Sequence, residues 1–290
     1  MAESRGLDHC VHAVRNLDAA ADLYARLGFT VGARNKHPWG THNYLIQLPG
    51  FFIELITLAE PDKLGDDGFS DLFGRFTGNF LKRGEGLSHM MLESESARAD
   101  EADFRSAGIA ASATMRFERE GKRPDGSAVT VAFSLAFAED DLAPDTRFAV
   151  CQQHFPENFW NPDFQRHPNS VERIAGAVMV AEAPGRHREF LLAFTGVDHA
   201  RLDGDGFVVA TPRGEIAVMT PAAYRRRFDT PAPDVKGGAR LAAMRFAVRD
   251  GTALDDALGQ SGLPVKRAAG AFVVGPESGM GAALVFEAGR

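Results

Sequence analysis

The feature that most restricts the fold is an internal repeat. Four segments, Gly6–Gly28, Gly86–Gly108, Ile174–Gly196 and Arg240–Gly262, follow one recipe. Each has an apolar strand-like run, a polar turn, a helix-period stretch and a glycine where that helix should end. Aligned on the terminal glycines without gaps, LDHCVHAV, LSHMMLES, AGAVMVAE and LAAMRFAV become four equivalent first strands. LGFT, AGIA, TGVD and SGLP become four equivalent helix exits, and the residue nineteen positions before each glycine is His9, His89, Ala177 or Ala243. In the first helix Asn16 or Asp18 is placed to cap, and Leu17, Ala21, Tyr24 and Leu27 share one face.

Strand-like material follows each helix. In the first unit it is Thr30–Arg34, His42–Leu48 and Phe51–Leu58, separated by His37-Pro38-Trp39-Gly40 and Pro49-Gly50. In the second it is Ala110–Glu118, Ala128–Ala138 and Arg147–Phe155, split by Arg123-Pro124-Asp125-Gly126 and Ala143-Pro144-Asp145. The later units end in EIAVMT and AALVFEA. The Pro- and Asn-rich stretch Pro156–Ser170 is the natural boundary. The expected fold class is α+β: four βαβββ units paired into two domains, residues 1–165 with units 6–58 and 86–155, and residues 166–290.

Composition limits the partners. No run of about 18 apolar residues is present, so a membrane-spanning helix is not expected. Met1–Gly6 lacks the apolar stretch of a secretory signal, which points to the cytoplasm. Cys10 and Cys151 are too few for a disulfide framework or a C-x-x-C zinc site. A net charge of −7 without a basic block argues against nucleic acid and anionic membranes. A small-molecule substrate remains, with a homodimer or a lid as the expected use of a second domain that lacks a site.

Two histidines, His9 and His89, occupy the same register in successive units, as a pseudo-twofold axis would require for a shared site. Glu54 lies in FFIELIT, where an ionised carboxylate is costly to bury unless it meets a cation. Two histidines and one carboxylate suit non-haem Fe, and also Mn, Zn, Ni or Co. A strand histidine is more often a hydrogen-bonded core residue, and a strand glutamate often faces solvent. Against that reading, units three and four carry Ala at the histidine positions, and about Ala217 stands where Glu54 would fall. A residue needed to fold the unit should recur in all four copies.

GLDHCVHAVRNLDAAADLYARLGF, FFIELI and GLSHMMLES resemble the vicinal oxygen chelate superfamily, which includes glyoxalase I and the extradiol dioxygenases. WGTHNYLIQLPGFFIELI and FAVCQQHFPENFW are most similar to its glyoxalase-like domain group. The resemblance covers roughly residues 6–165. It implies open, cup-shaped mixed sheets and a divalent metal that binds two neighbouring oxygens, with His9, His89 and Glu54 as ligands.

The fourth ligand position departs from the glyoxalase pattern. The strand ending Cys151-Gln152-Gln153-His154 has no carboxylate, so Gln152, Gln153, His154 or Cys151 could face the metal; glyoxalase-type isomerisation lacks its carboxylate base there, for which Gln152 and Gln153 are poor substitutes and His154 an acceptable one. His154 and Gln153 are the candidate catalytic residues. Arg34, His42, Asn43 and Trp160 are the candidate substrate contacts, with Lys36, His37 and Trp39 nearby. Phe69, Leu72, Phe73, Phe76 and Phe80 fall at helical spacing, and Phe159 and Trp160 are placed to close the cup. The expected function is a metal-dependent lyase, isomerase or dioxygenase; a metal-free sequestering protein of the same fold is the alternative.

Overall fold

A computed structural model describes residues 4–122 and 126–288. The turn expected at Arg123-Pro124-Asp125 lies outside the described residues.

The first sheet contains β1 (Leu7–Ala13), β2 (Asn35–Lys36), β3 (Thr41–Leu48), β4 (Phe51–Leu58), β5 (Gly86–Glu93), β6 (Met115–Lys122), β7 (Ala128–Ala138) and β8 (Arg147–Gln153), in the order β2-β3-β4-β1-β5-β8-β7-β6. The second contains β9 (Val171–Val180), β10 (Arg201–Asp203), β11 (Gly206–Ala210), β12 (Glu215–Met219), β13 (Arg240–Val248), β14 (Val265–Ala268), β15 (Ala271–Val274) and β16 (Ala283–Ala288), in the order β10-β11-β12-β9-β13-β16-β15-β14. The two orders are the same pattern. In every unit the first strand lies parallel to the last, and two first strands pair antiparallel at the middle of each sheet. The α+β class and the pairing of four βαβββ units into two cup-shaped domains are therefore as the repeat implies.

The crossover helices are α1 (Leu17–Arg26), α3 (Ala97–Ser106), α5 (Arg188–Thr195) and α7 (Gly251–Gln260). Between units lie α2 (Phe76–Arg83), α4 (Pro156–Phe159) and α6 (Pro221–Phe228). Asn16 caps α1 by accepting from the Ala19 N–H at 3.0 Å, and Ser96 and Asp250 cap α3 and α7 in the same way. The four exit glycines, Gly28, Gly108, Gly196 and Gly262, all take the left-handed conformation, with φ of 82°, 72°, 68° and 69°. The crossover helices lie between the two sheets: Leu23, Phe104, Leu191 and Leu254 belong to one apolar cluster with Cys10, Phe148, Met179 and Phe246. Both domains thus share a core. Arg5 pins it at one edge, bonding Asp100 of α3 at 2.7 Å and the Phe194 carbonyl of α5 at 3.1 Å.

Three expectations need correction. Thr30–Arg34 forms no strand: Thr30 bonds His167 Nδ1 and the Arg166 carbonyl of the linker, the Gly32 N–H makes a single bond to the Leu45 carbonyl of β3, and the ladder begins at Asn35. The strand expected at Ala110–Glu118 is interrupted: Ala110 makes one bridge to Ala138 of β7, and the continuous strand forms at Met115–Lys122, because Glu101 of α3 accepts from both the N–H and the hydroxyl of Thr114 and holds that residue to the helix. The gapless alignment also slips by one in the third unit. Ala177 packs into the helix layer, and of the two extra residues of β9 opposite β13, Glu172 and Ala175, it is Ala175 that corresponds to Asp8, so Gly176 is the counterpart of His9. Ala243 does face the second cup, as does Ala217. The second cup therefore still has no ligand residue at these positions.

That cup is filled by α6. Tyr224 and Phe228 are buried against Val178, Ala217 and Ala243, and the Tyr224 hydroxyl donates to the Ala242 carbonyl at 3.3 Å. The corresponding connection in the first domain is a π-helical turn, Ser70–Arg75, running into α2, and it leaves a cavity.

Two tests follow from the domain contacts. At Gly28 a Cβ would come within 2.9 Å of the Asn169 Cβ and 3.1 Å of the Ala257 Cβ, whereas at Gly262 it would meet nothing within 4 Å. Gly262→Ala should cost about 1–2 kcal/mol for the left-handed backbone, and Gly28→Ala a further ~1–3 kcal/mol for overpacking. Equal losses in urea unfolding would contradict this.

His12 is fully buried, with Nδ1 on the Tyr24 hydroxyl and Nε2 on the Met280 carbonyl, both at 2.9 Å. Burial holds it below the usual histidine range, and does the same to His37, His89 and His167. The folded chain keeps these rings neutral while the unfolded chain protonates near pH 6.5, so their stabilisation is present above that pH and is lost as the pH falls below it. Thermal midpoints from pH 8 to pH 5 should decline below about 6.5, with a shallower slope for His12→Gln.

Candidate functional site

The site is built on two β-bulges. Along the β1–β5 ladder, Leu7 faces Leu92 and His9 faces Met91, so Asp8 is an extra residue on β1. Further on, Val11 faces His89 and His12 faces Leu87, so Ser88 is an extra residue on β5. A bulge breaks the strict alternation of a strand and lets consecutive side chains meet on one face. Each bulged residue uses that freedom to bond the Nδ1 of the histidine after it: Asp8 Oδ2 at 2.6 Å from His9, and Ser88 Oγ at 2.9 Å from His89.

The two bonds give the histidines opposite tautomers. A carboxylate only accepts, so His9 donates from Nδ1, and in the neutral ring the lone pair lies on Nε2. His9 stacks on Phe52, with ring centroids 4.1 Å apart, and lines the cavity. The Leu72 carbonyl also only accepts, and it lies 3.3 Å from His89 Nε2. His89 therefore carries its proton on Nε2 and accepts at Nδ1. Burial, the first cause, pushes its pKa down to about 3. Asp8 is in turn fixed by Gln153, whose Nε2 donates to Oδ1 at 3.1 Å.

The cavity measures about 70 Å³ and has a largely aromatic wall that includes Trp39, Phe69, Phe73, Phe117 and Phe133. His9, His37, Asn43, Glu54, Arg119 and Cys151 supply its polar groups. Asn43 donates to Glu54 Oε1 at 2.5 Å and accepts from Asn35 at 3.1 Å, so it positions the carboxylate. Among the described residues, the one group of three or more His, Cys, Asp or Glu side chains with ligand atoms within 4.8 Å of one another is Asp8, His9 and Cys151; the expected set His9, Glu54 and His89 is not gathered to that distance. His9 and Glu54 share the cavity wall. His89 lies beneath it, stacked on Phe73 at 5.0 Å.

The remaining candidates divide by face. Cys151 faces the cup, and burial first, then the charges of Asp8 and Glu54, hold its thiol well above the usual range. Gln153 is beside Asp8, with its buried Oε1 lacking a hydrogen-bond partner among the described residues. Gln152 turns away, accepting from the Ala97 N–H of α3 and donating to the Glu95 carbonyl. His154 bonds the Ser134 hydroxyl at 2.8 Å. Arg34 and His42 form an outer cluster with Asp18 and Glu60 and do not line the cavity. Trp160 lines a second groove outside the cavity and packs on Phe159 at 4.9 Å. Asp8 and Arg119 are site residues that the sequence reading did not single out.

Nitrogen-detected NMR of the histidines tests this wiring. His9 should report Nδ1–H and His89 Nε2–H at neutral pH; the same tautomer at both would contradict the bulge geometry. Asp8→Asn should scramble the His9 signal, because an amide cannot accept from both His9 and Gln153.

Comparison with known proteins places the chain. The glyoxalase-like domain family matches residues 7–195. A hypothetical protein from Staphylococcus aureus shares the fold at 12% identity and a TM-score of 0.67, over 98% of this chain and 99% of that one. A mutant 4-hydroxymandelate synthase from Streptomyces coelicolor does so at 11% identity and 0.56, over 93% and 78%. A fusion of a xylose isomerase-like TIM barrel with a 4-hydroxyphenylpyruvate dioxygenase matches at 12% and 0.54, over 98% of this chain and 48% of its own length. No curated protein sequence matches the chain. With a family match over most of its length and the paired βαβββ cups, the chain belongs to the glyoxalase-like domain family of the vicinal oxygen chelate superfamily.

Proposed function

We propose that the cup of the first sheet is the site of a metal-dependent enzyme acting on a small molecule with two neighbouring oxygens. The observation that carries this reading is the His9 imidazole, bonded through Nδ1 to buried Asp8 and, among the described residues, without a hydrogen bond at Nε2, in a cavity that also contains Glu54. A neutral imidazole held by a carboxylate is how ligating histidines are commonly oriented. A second buried carboxylate beside it is costly without a cation. These donors fit a divalent ion such as Fe, Mn, Zn, Ni or Co. His9 and Glu54 would hold it, and His89 would complete the set on exchanging its bond to the Leu72 carbonyl. When bound, the ion would polarise the oxygens of the ligand.

The chain's own residues set the remaining chemistry. Asp8 keeps the proton on His9 Nδ1, Asn43 fixes Glu54, and the aromatic wall excludes water. The last strand of the second unit presents Cys151 as a neutral thiol and Gln153 as an amide. Neither is a base of suitable pKa, so the site favours binding and activating oxygens over abstracting a carbon-bound proton. A second reading, a metal-free binding cup, is favoured by one observation: the Nε2–H of His89 is already bonded to Leu72.

Titration of the full chain with Mn(II), followed by calorimetry, separates the two. His9→Ala and Glu54→Gln should each weaken binding by about a hundredfold or more, beyond the effect of losing an outer partner. The thermal midpoint should hold or rise for Glu54→Gln, which removes a buried charge, and fall for His9→Ala, which leaves buried Asp8 without its imidazole partner. Unchanged Mn(II) affinity in both variants would overturn the metal reading. So would ligand binding by a wild type that takes up no metal.

A further inference from the structure

Strand β6 alternates as a half-buried strand should. Arg116, Glu118 and Glu120 are exposed, while Met115, Phe117 and Arg119 turn inward. Arg119 is therefore a guanidinium aimed into an aromatic cup. Among the described residues it forms no ion pair, and its one hydrogen bond is a 3.4 Å contact from Nη1 to the carbonyl of the adjacent Glu120. A half-buried cation without a counter-ion is uncommon, because the desolvation cost is repaid only by a partner.

The position of Arg119 gives it a purpose. With Leu45 and Phe159 it belongs both to the inner cavity and to the adjoining outer groove of about 550 Å³, and so stands at their junction. The inner side already contains Asp8 and Glu54, which would repel an anion placed there. Glu157 lies in the outer groove. The junction is where a negative group on a ligand gains most and is repelled least. A planar guanidinium fork matches a carboxylate, and one positive charge balances one negative charge.

We propose that Arg119 is the anion-binding residue of this site, and that its ligand is an organic carboxylate with a compact, oxygen-bearing head in the inner cavity and its carboxylate on Arg119. Larger substituents extend into the outer groove, among Asn35, Gln47, Asn158 and Trp160. This deepens the proposed function and rests on it for the placement of the head. Desolvation lowers the pKa of Arg119, in keeping with a charge kept from water in readiness for a partner.

The experiment compares two probes that differ only in charge, 3,4-dihydroxybenzoate and 3,4-dihydroxybenzamide, bound anaerobically by the Mn(II)-loaded full chain. The wild type should prefer the carboxylate by about tenfold or more, as expected for a charge-assisted pair. Arg119→Gln should abolish the preference by weakening the carboxylate far more than the amide. Its thermal midpoint without ligand should hold or rise, because an unpaired half-buried charge has gone; a structural role would lower it. Arg119→Lys should keep part of the preference. Equal affinity of the wild type for both probes, or no carboxylate binding up to millimolar concentrations, overturns the assignment. His9→Ala serves as the separate control. If it weakens both probes equally, the head sits where proposed. If it weakens neither while the charge preference survives, Arg119 stands as an anion site and the reading of the inner cavity fails.

Discussion

One extra residue in each central strand governs the chemistry of this molecule. Without the bulge at Asp8, strict alternation would put the aspartate and His9 on opposite faces of the sheet, one toward the helix layer and one toward the cup. With it, a carboxylate and an imidazole meet at 2.6 Å inside the protein, and the ring is held in one tautomer. The same displacement at Ser88 brings a hydroxyl to His89. The backbone device is common to both units, but the side chain placed on the bulge differs, and that difference breaks the symmetry of the pair. An extra residue also occurs at Ala175 of β9 and Ala242 of β13, where no polar group is present to use it. The bulge therefore belongs to the fold, and the site is a local use of it.

This arrangement explains what could be read from the sequence and what could not. The exit glycines carry a conformational requirement that side-chain-bearing residues meet poorly, so their spacing reported four helix ends and, through them, the paired units. Phe51–Leu58 and Ala128–Ala138 were legible because their apolar content is uninterrupted or alternates as a strand must. Asp8 was not legible, because a bulge depends on how two strands meet and leaves no mark in either strand alone. The third unit is offset for another reason, an extra residue between Gly176 and its exit glycine Gly196, which a gapless alignment cannot register. Arg119 was missed for a related reason: a hydrogen bond from Thr114 to Glu101 of α3 delays the start of β6, and the expected strand ended at Glu118. At the open register of β8, the choice fell to packing, which turns Gln152 toward α3 and leaves Cys151 and Gln153 facing the cup.

The contrast between the two cups shows how one fold keeps a site in one copy and loses it in the other. In the second domain α6 sends Tyr224 and Phe228 into the cup, small residues stand where ligands would be, and the cup becomes ordinary core. In the first domain the equivalent connection begins as a π-helical turn. Its wider helix places Phe69 and Phe73 along the wall without filling the centre. Burying Asp8, Glu54 and Arg119 around that space opposes folding, and each lacks at least part of the compensation a core residue would have. The shared helix layer, with its continuous apolar cluster and the Arg5 anchor, supplies stability the first cup does not generate for itself. A filled second cup beside an open first one is thus a division of labour: one copy contributes packing, and the other is free to keep polar groups, spare hydrogen-bonding capacity and an unbalanced cation where a ligand can use them.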